Sequence, residues 1–303
     1  MSTANLWKMH ALVTPAGTIP QIRSRELNPG IERLLVIGDG KINPEFYGLM
    51  ARNPMIKCST LAINAAMTAI GQKMYSFSGA ATTAYMAKLV NGGGYAGSGH
   101  AKMNGSYGVI IPRKLSVRHN KEATFDFDLC WLSNDGITDG FSYTNSAVSL
   151  PSLAVASEVF TLGPVKINGT AISGLTGWDY DFGIQERIEG SGGEVWPTFG
   201  GYVSQSPKIS VTSKDAQLYD RVAMSGTAQG GTASTFYLQK VTSTGRVAAG
   251  TASHIKMSMT AGQFEPGGQR ESDDGETEFT MDAYPLFDGT NDIIAANLAS
   301  AIS

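Results

Sequence analysis

Apolar and polar residues alternate most strictly along residues 178–185. The apolar set is Trp178, Tyr180, Phe182 and Ile184, and the set between them is Asp179, Asp181, Gly183 and Gln185. A period of two predicts a β-strand with one apolar face and one acidic face. An Asn168-Gly169 turn precedes this strand, and a glycine-rich reversal at 189–193 predicts a return strand over 194–199.

A second strand of the same design is predicted at 125–131. Its apolar side is Phe125, Phe127, Leu129 and Trp131, and its other side is Asp126, Asp128 and Cys130. The two acidic faces make Asp126, Asp128, Asp179 and Asp181 candidates for a surface that borders water or a channel. An ordinary solvated outer face is the alternative, and both interpretations stay open at this point.

Shorter apolar runs predict further strands, at 6–14, 31–37, 209–211, 236–241, 255–259 and 279–286. The density of apolar residues at 31–37 predicts a buried strand, and a short helical turn is expected at 45–51. One helix is predicted, over 60–70, with Ser59 or Thr60 as its cap and Gly71 at its end. Loops are expected at 91–108, 137–157, 225–235 and 262–278.

These elements predict a mainly β fold, a β-sandwich or partly closed barrel with one flanking α-helix and long loops. No stretch marks a linker, so residues 1–303 are expected to form one β domain. Its N-terminal arm is placed at about 1–30, and an extra loop or small insertion at about 225–275.

Composition is compatible with two interpretations, a surface that is covered in the working state and an ordinary β-rich domain with many turns. Glycine is abundant, with 36 of 303 residues, and only 16% of residues are charged, against a usual ~25%. The simplest cover for such a surface is further copies of the chain. A net charge of −3 argues against general affinity for nucleic acid.

Sequence motifs for catalysis, cofactors and metals are not convincing. Gly92, Gly94 and Gly97 match G-x-G-x-x-G, but the residues that follow do not favour the helix a dinucleotide site needs. The four histidines and two cysteines have no metal spacing. We therefore expect no catalytic, cofactor-binding or metal site and no enzyme activity. An intracellular protein without a membrane span is expected, since no signal peptide or long apolar run is visible.

Several short motifs together resemble a known family. In chain order they are Gly40-Lys-Ile-Asn-Pro44-Glu-Phe46, Asn53-Pro54 leading to the alanine-containing helix, the loop at 92–100 leading to Gly108-Val-Ile-Ile-Pro112, Val165-Lys-Ile-Asn-Gly169, Trp196-Pro197-Thr-Phe199 and Phe287-Asp288-Gly289-Thr290-Asn291. Their order over roughly 30–290 is similar to that of the tail tube proteins of phages with long, non-contractile tails.

This resemblance implies a structural virion protein assembled in the host cytoplasm. It implies a β-sandwich with a flanking helix, six copies per ring, and rings stacked into a tube whose inner β-barrel DNA traverses. The implied partners are copies of the chain and the tape-measure, tail-tip and tail-terminator proteins. DNA is expected to pass without specific binding, and no cofactor or membrane is involved.

Two sets of acidic residues acquire candidate roles in such a tube. A lumen lined with carboxylates repels phosphate, so Asp126, Asp128, Asp179 and Asp181 become lumen candidates. The acidic stretch 265–278 becomes a candidate inter-ring loop that orders on contact with the next ring, through Glu265, Glu271, Asp273, Asp274, Glu276 and Glu278. A solvated surface loop is the alternative for that stretch.

Two rival functions stay open at this point. One is a carbohydrate-binding or hydrolytic β-sandwich, with Trp178 or Trp196 as a sugar platform and Asp179 and Asp181 as a carboxylate pair. The other is a different virion component, such as a coat or decoration protein.

Overall fold

The structure is a computed structural model, and it describes residues 6–90, 94–153, 159–271, 277–290 and 292–303. These residues form twenty-three strands and two short helices, so the predicted mainly β fold is confirmed. In chain order the elements are β1 (Leu6–Thr14), β2 (Gly17–Ile19), β3 (Ile22–Asn28), β4 (Ile31–Val36), β5 (Phe46–Arg52), β6 (Met55–Thr60), α1 (Ile63–Ala69), β7 (Tyr75–Leu89), β8 (His100–Arg118), β9 (Thr124–Trp131), β10 (Ser142–Val148), β11 (Val159–Ile167), β12 (Thr170–Ala171), β13 (Leu175–Asp181), β14 (Ile184–Glu189), β15 (Phe199–Gln205), β16 (Lys208–Ser213), α2 (Gln217–Asp220), β17 (Thr227–Ala228), β18 (Ser234–Thr242), β19 (Gly245–Arg246), β20 (His254–Met259), β21 (Gly262–Glu271), β22 (Thr277–Pro285) and β23 (Ala295–Ser300).

The large sheet has thirteen strands and is organised around the long strand β8. β8 pairs with four strands, β7, β9, β10 and β13, all of them antiparallel. From β13 the sheet continues through β16 and β22 to β21 and β17; from β9 it continues through β6 to β3; from β7 it continues through β1 to β2. A register shift between Pro112 and Lys114 marks a bulge in the middle of β8, a feature that bends a strand and redirects a side chain.

A second sheet of six strands packs on the apolar face of the large sheet. Its main order is β12-β11-β18-β20-β23, with β19 beside β18. Trp178 on β13 lies 5.9 Å from Phe236 on β18, measured between ring centroids. Because aromatic side chains bury a large area each, this contact joins the two sheets strongly. The arrangement is consistent with a β-sandwich, and none of the sheets in the described residues closes into a barrel.

Two hairpins form separate two-stranded sheets outside these layers. β4 and β5 form the first, called here the projecting hairpin (31–52), and β14 and β15 form the second, called the ribbon (184–205).

The predicted helix is present with narrower bounds, as α1. The predicted cap by Ser59 or Thr60 is wrong, because the N-cap residue is Ala62 and no side chain caps the first turn. The Thr60 hydroxyl accepts a hydrogen bond from the backbone N–H of Ala62, 3.1 Å away, just before the first turn. Gly71 follows the helix with a φ of +77°, a conformation that glycine adopts without strain. Ile63, Ala66, Met67 and Ala69 are the buried side chains of the helix.

Several local predictions are wrong. Residues 45–51 were expected to be helical but lie almost entirely in β5, because a Gly38-Asp39-Gly40 turn returns the chain as a strand. The expected loops at 91–108 and 137–157 contain the start of β8 and all of β10, respectively. The expected return strand at 194–199 instead begins at its last residue and continues to Gln205.

The predicted arm and insertion hold regular structure in their described parts. β1, β2 and β3 all lie within residues 1–30 and belong to the large sheet. The stretch 225–275 contains β17 to β21, and its 262–271 part, expected to be a loop, is the strand β21. Pairing with β7 and β6 places the N-terminal strands in the large sheet. The strands of 225–271 are divided between the large sheet and the second sheet.

Candidate functional site

The four aspartates singled out by the sequence lie on one face of the large sheet. The Cα of Lys114 on β8 is the register partner of Asp126 on β9 and also of Asp181 on β13. Directly opposed residues in an antiparallel sheet point to the same side, and so do residues two apart on one strand. Asp128 and Asp179 therefore share that side, which we call the polar face.

The polar face extends over the neighbouring strands with both signs of charge. Lys208 on β16 is opposite Asp181. Asp282 on β22 has two opposite neighbours, Ser210 on β16 and Glu265 on β21. Lys57 on β6 is opposite Asp128. The opposite face carries the apolar partners of the same strands, which are buried, namely Leu115, Val117, Phe125, Phe127, Trp178, Tyr180, Ile209, Val211, Met281 and Ala283. The predicted apolar and polar faces are thus both present.

Cations bind two of the four aspartates. The Asp179 carboxylate lies 2.6 Å from a guanidinium nitrogen of Arg118 and 3.3 Å from the Lys114 ammonium. Burial alone would raise the pKa of Asp179, but the Arg118 hydrogen bond and the two positive charges outweigh it, so the pKa lies below its usual value. Asp128 is bound by Arg113. Within the described residues Asp126 and Asp181 form no ion pair. Because the lysines and arginines lie among the carboxylates, the polar face is mixed in charge and not uniformly acidic.

The ion pairs of Asp179 predict a specific pH dependence of stability. A carboxyl group whose pKa is lower in the folded state stabilises the fold above its unfolded pKa, and that contribution is lost as the pH falls through the folded pKa. We expect Asp179→Asn to lower the free energy of unfolding by about 1 kcal/mol at pH 7. The difference from the unsubstituted protein should shrink below about pH 4.

Urea denaturation at pH 7 and at pH 3 measures this effect. Asp181→Asn is the matched control, because Asp181 lies on the same strand and accepts only the backbone N–H of Gly183, a bond that asparagine can also accept. A loss of equal size in both variants, or one for Asp179→Asn that is as large at pH 3 as at pH 7, would contradict the assignment.

Arg113 forms a second ionic cluster, with Asp128 and Glu186, that no sequence pattern indicates. The β8 bulge lies at Arg113, whose Nε donates to the Asp128 carboxylate at 2.6 Å and whose Nη1 donates to Glu186 at 2.8 Å and to the Ile184 carbonyl at 3.2 Å. The hydrogen bond from Arg113 lowers the pKa of the Glu186 carboxyl group. The hydrogen bonds that Arg113 donates to Glu186 and Asp128 raise the pKa of its own guanidinium group. Glu186 belongs to the ribbon, so this cluster clamps the ribbon to the large sheet.

The projecting hairpin is the most exposed apolar feature among the described residues. All six residues of β4 are exposed, although the sequence predicted a buried strand there. Its large exposed apolar side chains are Ile31, Leu34, Leu35, Val36, Ile37, Ile42, Phe46, Tyr47, Leu49 and Met50. An isolated two-stranded hairpin is marginally stable in water, and an apolar patch of this kind marks an interaction surface.

The root of the hairpin is fixed by Arg52 and by aromatic rings. The Arg52 backbone N–H donates to the Val195 carbonyl at 2.8 Å, and its guanidinium lies 5.6 Å from the ring centre of Trp196. The ring of Trp196 packs edge-on against that of Phe141, with 6.1 Å between the ring centroids. Phe141 in turn stacks on the buried Trp131, with 4.9 Å between the centroids. This series of contacts joins the hairpin to the core of the large sheet.

The acidic inter-ring candidates fall partly outside the described residues. Asp273, Asp274 and Glu276 lie in the undescribed stretch 272–276. Glu265 and Glu271 lie on β21, and Glu278 lies on β22. These three therefore extend from paired strands of the large sheet and not from a loop.

A carbohydrate-binding function through Trp178 or Trp196 would need an exposed indole ring, and neither indole ring is exposed. Trp178 is fully buried and Trp196 is 5% exposed, so neither face is open for a sugar to stack on. The lowered pKa of Asp179 is also opposite to what a general acid of a glycosidase needs. Over the described ranges, no group of three or more His, Cys, Asp or Glu side chains is placed to hold a metal ion.

Neither helix of the described chain, α1 or α2, has the length and hydrophobicity that a membrane span requires. Comparison of the chain with protein-family models and with curated protein sequences gives no match.

Proposed function

We propose that the chain is a structural virion protein that assembles into stacked rings of six copies and forms the tail tube of a phage with a long, non-contractile tail. The tube is the conduit for DNA into the host. Its other partners are the tape-measure, tail-tip and tail-terminator proteins. The observation that carries the proposal is the projecting hairpin, whose large apolar side chains remain between 39% and 91% exposed within the described chain.

The hairpin supports self-association because its exposure is costly in a monomer. Each large aliphatic side chain moved out of water contributes about 1.5–3 kcal/mol. A surface with many such residues is typical of a permanent interface and not of a free monomer. The low proportion of charged residues over the whole chain agrees with this.

The open edges of the large sheet support a ring. Among the described strands, β3 is paired on one side only, with β6, and β21 is paired with β22 along its length but with β17 only at Gln263 and Phe264. Unpaired edges invite pairing with another chain, and a closed ring of sheets removes them. Because the β3 and β21 edges belong to the sheet that carries the polar face, a ring closed through these two edges has that face on one side throughout.

The polar face is the proposed lining of the tube. Its aspartates and cations largely neutralise each other, so it neither attracts phosphate strongly nor carries a dense negative field. Asp126 and Asp181 carry the carboxylates that are not engaged by a cation, which makes them the residues whose charge acts on passing DNA. Asp128 and Asp179 have a structural part in this proposal, through Arg113 and Arg118.

Negative-stain electron microscopy of the purified full-length protein at increasing concentration tests the proposal. Hollow tubes of uniform width, built from rings with six-fold symmetry in end views, are the expected result. Sedimentation velocity on the same samples should show large assemblies whose fraction rises with concentration. A protein that stays monomeric at millimolar concentration, or that forms closed shells, would overturn the tail-tube assignment.

A further inference from the structure

The ribbon is the continuation of two neighbouring strands of the large sheet, bent out of its plane. β13 and β16 pair with each other, and after the break their continuations β14 and β15 pair as the ribbon. Gly183 forms the break with a φ of +60°, and a Cβ at that position would lie 1.9 Å from the Ser206 carbonyl oxygen. Only glycine fits there, so the bend is built into the chain.

After the bend, the ribbon lies across β8. A Cβ added to Gly200 would lie 2.8 Å from a methyl carbon of Val109 on β8, so the backbone of β15 touches the sheet directly. Near the bend, Arg113 holds the ribbon through the Glu186 carboxylate and the Ile184 carbonyl. The Glu186 side chain is 23% exposed, so water weakens this ion pair less than it weakens a surface pair.

The turn end of the ribbon carries the root of the projecting hairpin. The Val195 carbonyl accepts the Arg52 N–H, and the indole of Trp196 lies beneath the Arg52 guanidinium. The same two residues donate their own backbone N–H groups to the Gly136 carbonyl, at 2.9 and 3.0 Å. The ribbon therefore spans the distance from the Arg113 cluster to the base of the hairpin.

We propose that the ribbon is a strut, that the Arg113–Glu186 clamp holds it in place, and that the strut sets the orientation of the projecting hairpin. Arg113 and Glu186 are then positioning residues for the apolar surface, although neither lies in it. A change at the polar face that loosens the clamp also frees the hairpin. The link from clamp to hairpin rests on contacts within one copy; only its consequence for assembly rests on the proposed function.

Hydrogen exchange of the full-length protein, kept dilute so that it stays monomeric, tests the strut. Glu186→Gln removes the charge of the clamp with little change of shape. We expect exchange to become about tenfold faster in 184–205 and also in 31–52, as for the loss of one charge-assisted hydrogen bond. Exchange in β11 and β18 of the second sheet should stay unchanged, which excludes general unfolding.

Two further variants sharpen the result. Glu189→Gln is the matched control, because Glu189 lies on the same strand but pairs only with Arg187 beside it, and it should change neither segment. Arg52→Lys keeps the charge but loses the planar group over Trp196, so it should speed exchange in 31–52 alone. A ribbon that exchanges faster while the hairpin does not, or a Glu186→Gln protein identical to the Glu189→Gln control, would overturn the strut.

The assembly assay is read separately from the exchange assay. If the exchange results are as expected but no tubes form, the strut stands and the tail-tube proposal fails. If tubes form and Glu186→Gln leaves the hairpin as protected as before in the monomer, the strut fails and the tail-tube proposal stands.

Discussion

Replacement of Trp178 by alanine should lower the free energy of unfolding by about 3–5 kcal/mol, the largest stability effect that we expect from one substitution. Trp178 is fully buried, and its ring lies between β13 and Phe236 of the second sheet. Its removal leaves a cavity at the place where the two sheets meet, and the surrounding strands are held by their ladders and cannot close it. Both the lost burial and the cavity therefore act in the same direction.

Urea denaturation followed by far-ultraviolet circular dichroism measures this loss without relying on tryptophan fluorescence. Trp7→Ala is the control, because Trp7 on β1 is 43% exposed, and it should cost less than about 1 kcal/mol. An equal and small loss for both variants would mean that the two sheets do not pack through Trp178, which would contradict the sandwich.

Alternation predicted the strands correctly where apolar side chains occupy one face of a strand and mostly polar side chains the other, although Asp128 and Cys130 on the polar side of β9 are themselves buried. The patterns at 125–131 and 178–181 match β9 and β13, and their apolar faces are the core. Periodicity works there because the two faces meet different surroundings, and a shift by one residue would expose the whole apolar set. The same pattern could not show that the strand ends at Asp181, because the bend at Gly183 depends on its close approach to Ser206.

Apolar density was misleading at β4. A run such as Ile31–Ile37 shows that these side chains need cover, but it does not show whether the same chain provides it. The structure leaves them exposed, and in the proposed assembly other copies of the chain would cover them. The Gly38-Asp39-Gly40 turn between two apolar runs is a sequence signal for a β-hairpin. The prediction of a helical turn at 45–51 did not take this signal into account.

The sequence allowed the strand faces of the acidic residues to be predicted, but not the cationic side chains that bind them. Asp126, Asp128, Asp179 and Asp181 could be placed on strand faces from spacing alone. Arg113 reaches Asp128 only because a bulge in β8 redirects it, and Glu186 reaches Arg113 only because the ribbon folds back over the sheet. Contacts between residues this far apart depend on the tertiary fold, which no local pattern encodes.

Substitution of Ile42 by aspartate should weaken assembly while leaving the fold intact. Ile42 lies between β4 and β5 at the outer end of the projecting hairpin and is 91% exposed, so a charge there costs the monomer almost nothing. In an assembly that covers the hairpin, the same change loses the burial of an isoleucine and buries an unpaired carboxylate. We expect the concentration needed for assembly to rise by about tenfold to a hundredfold.

Met224→Asp is the matched control, because Met224 is 82% exposed and lies outside both hairpins. Both variants should keep the thermal midpoint of the unsubstituted monomer, and only Ile42→Asp should lose the large species in sedimentation velocity and electron microscopy. The two native cysteines, Cys58 and Cys130, are buried with thiol pKa values raised to about 12, so disulfide-linked aggregates should not obscure the comparison. If Ile42→Asp assembles as well as Met224→Asp does, the hairpin end is not covered in the assembly. The cover that its apolar residues require would then have to lie nearer the root, at residues such as Leu35 and Phe46, where aspartate substitutions should have the effect expected here for Ile42.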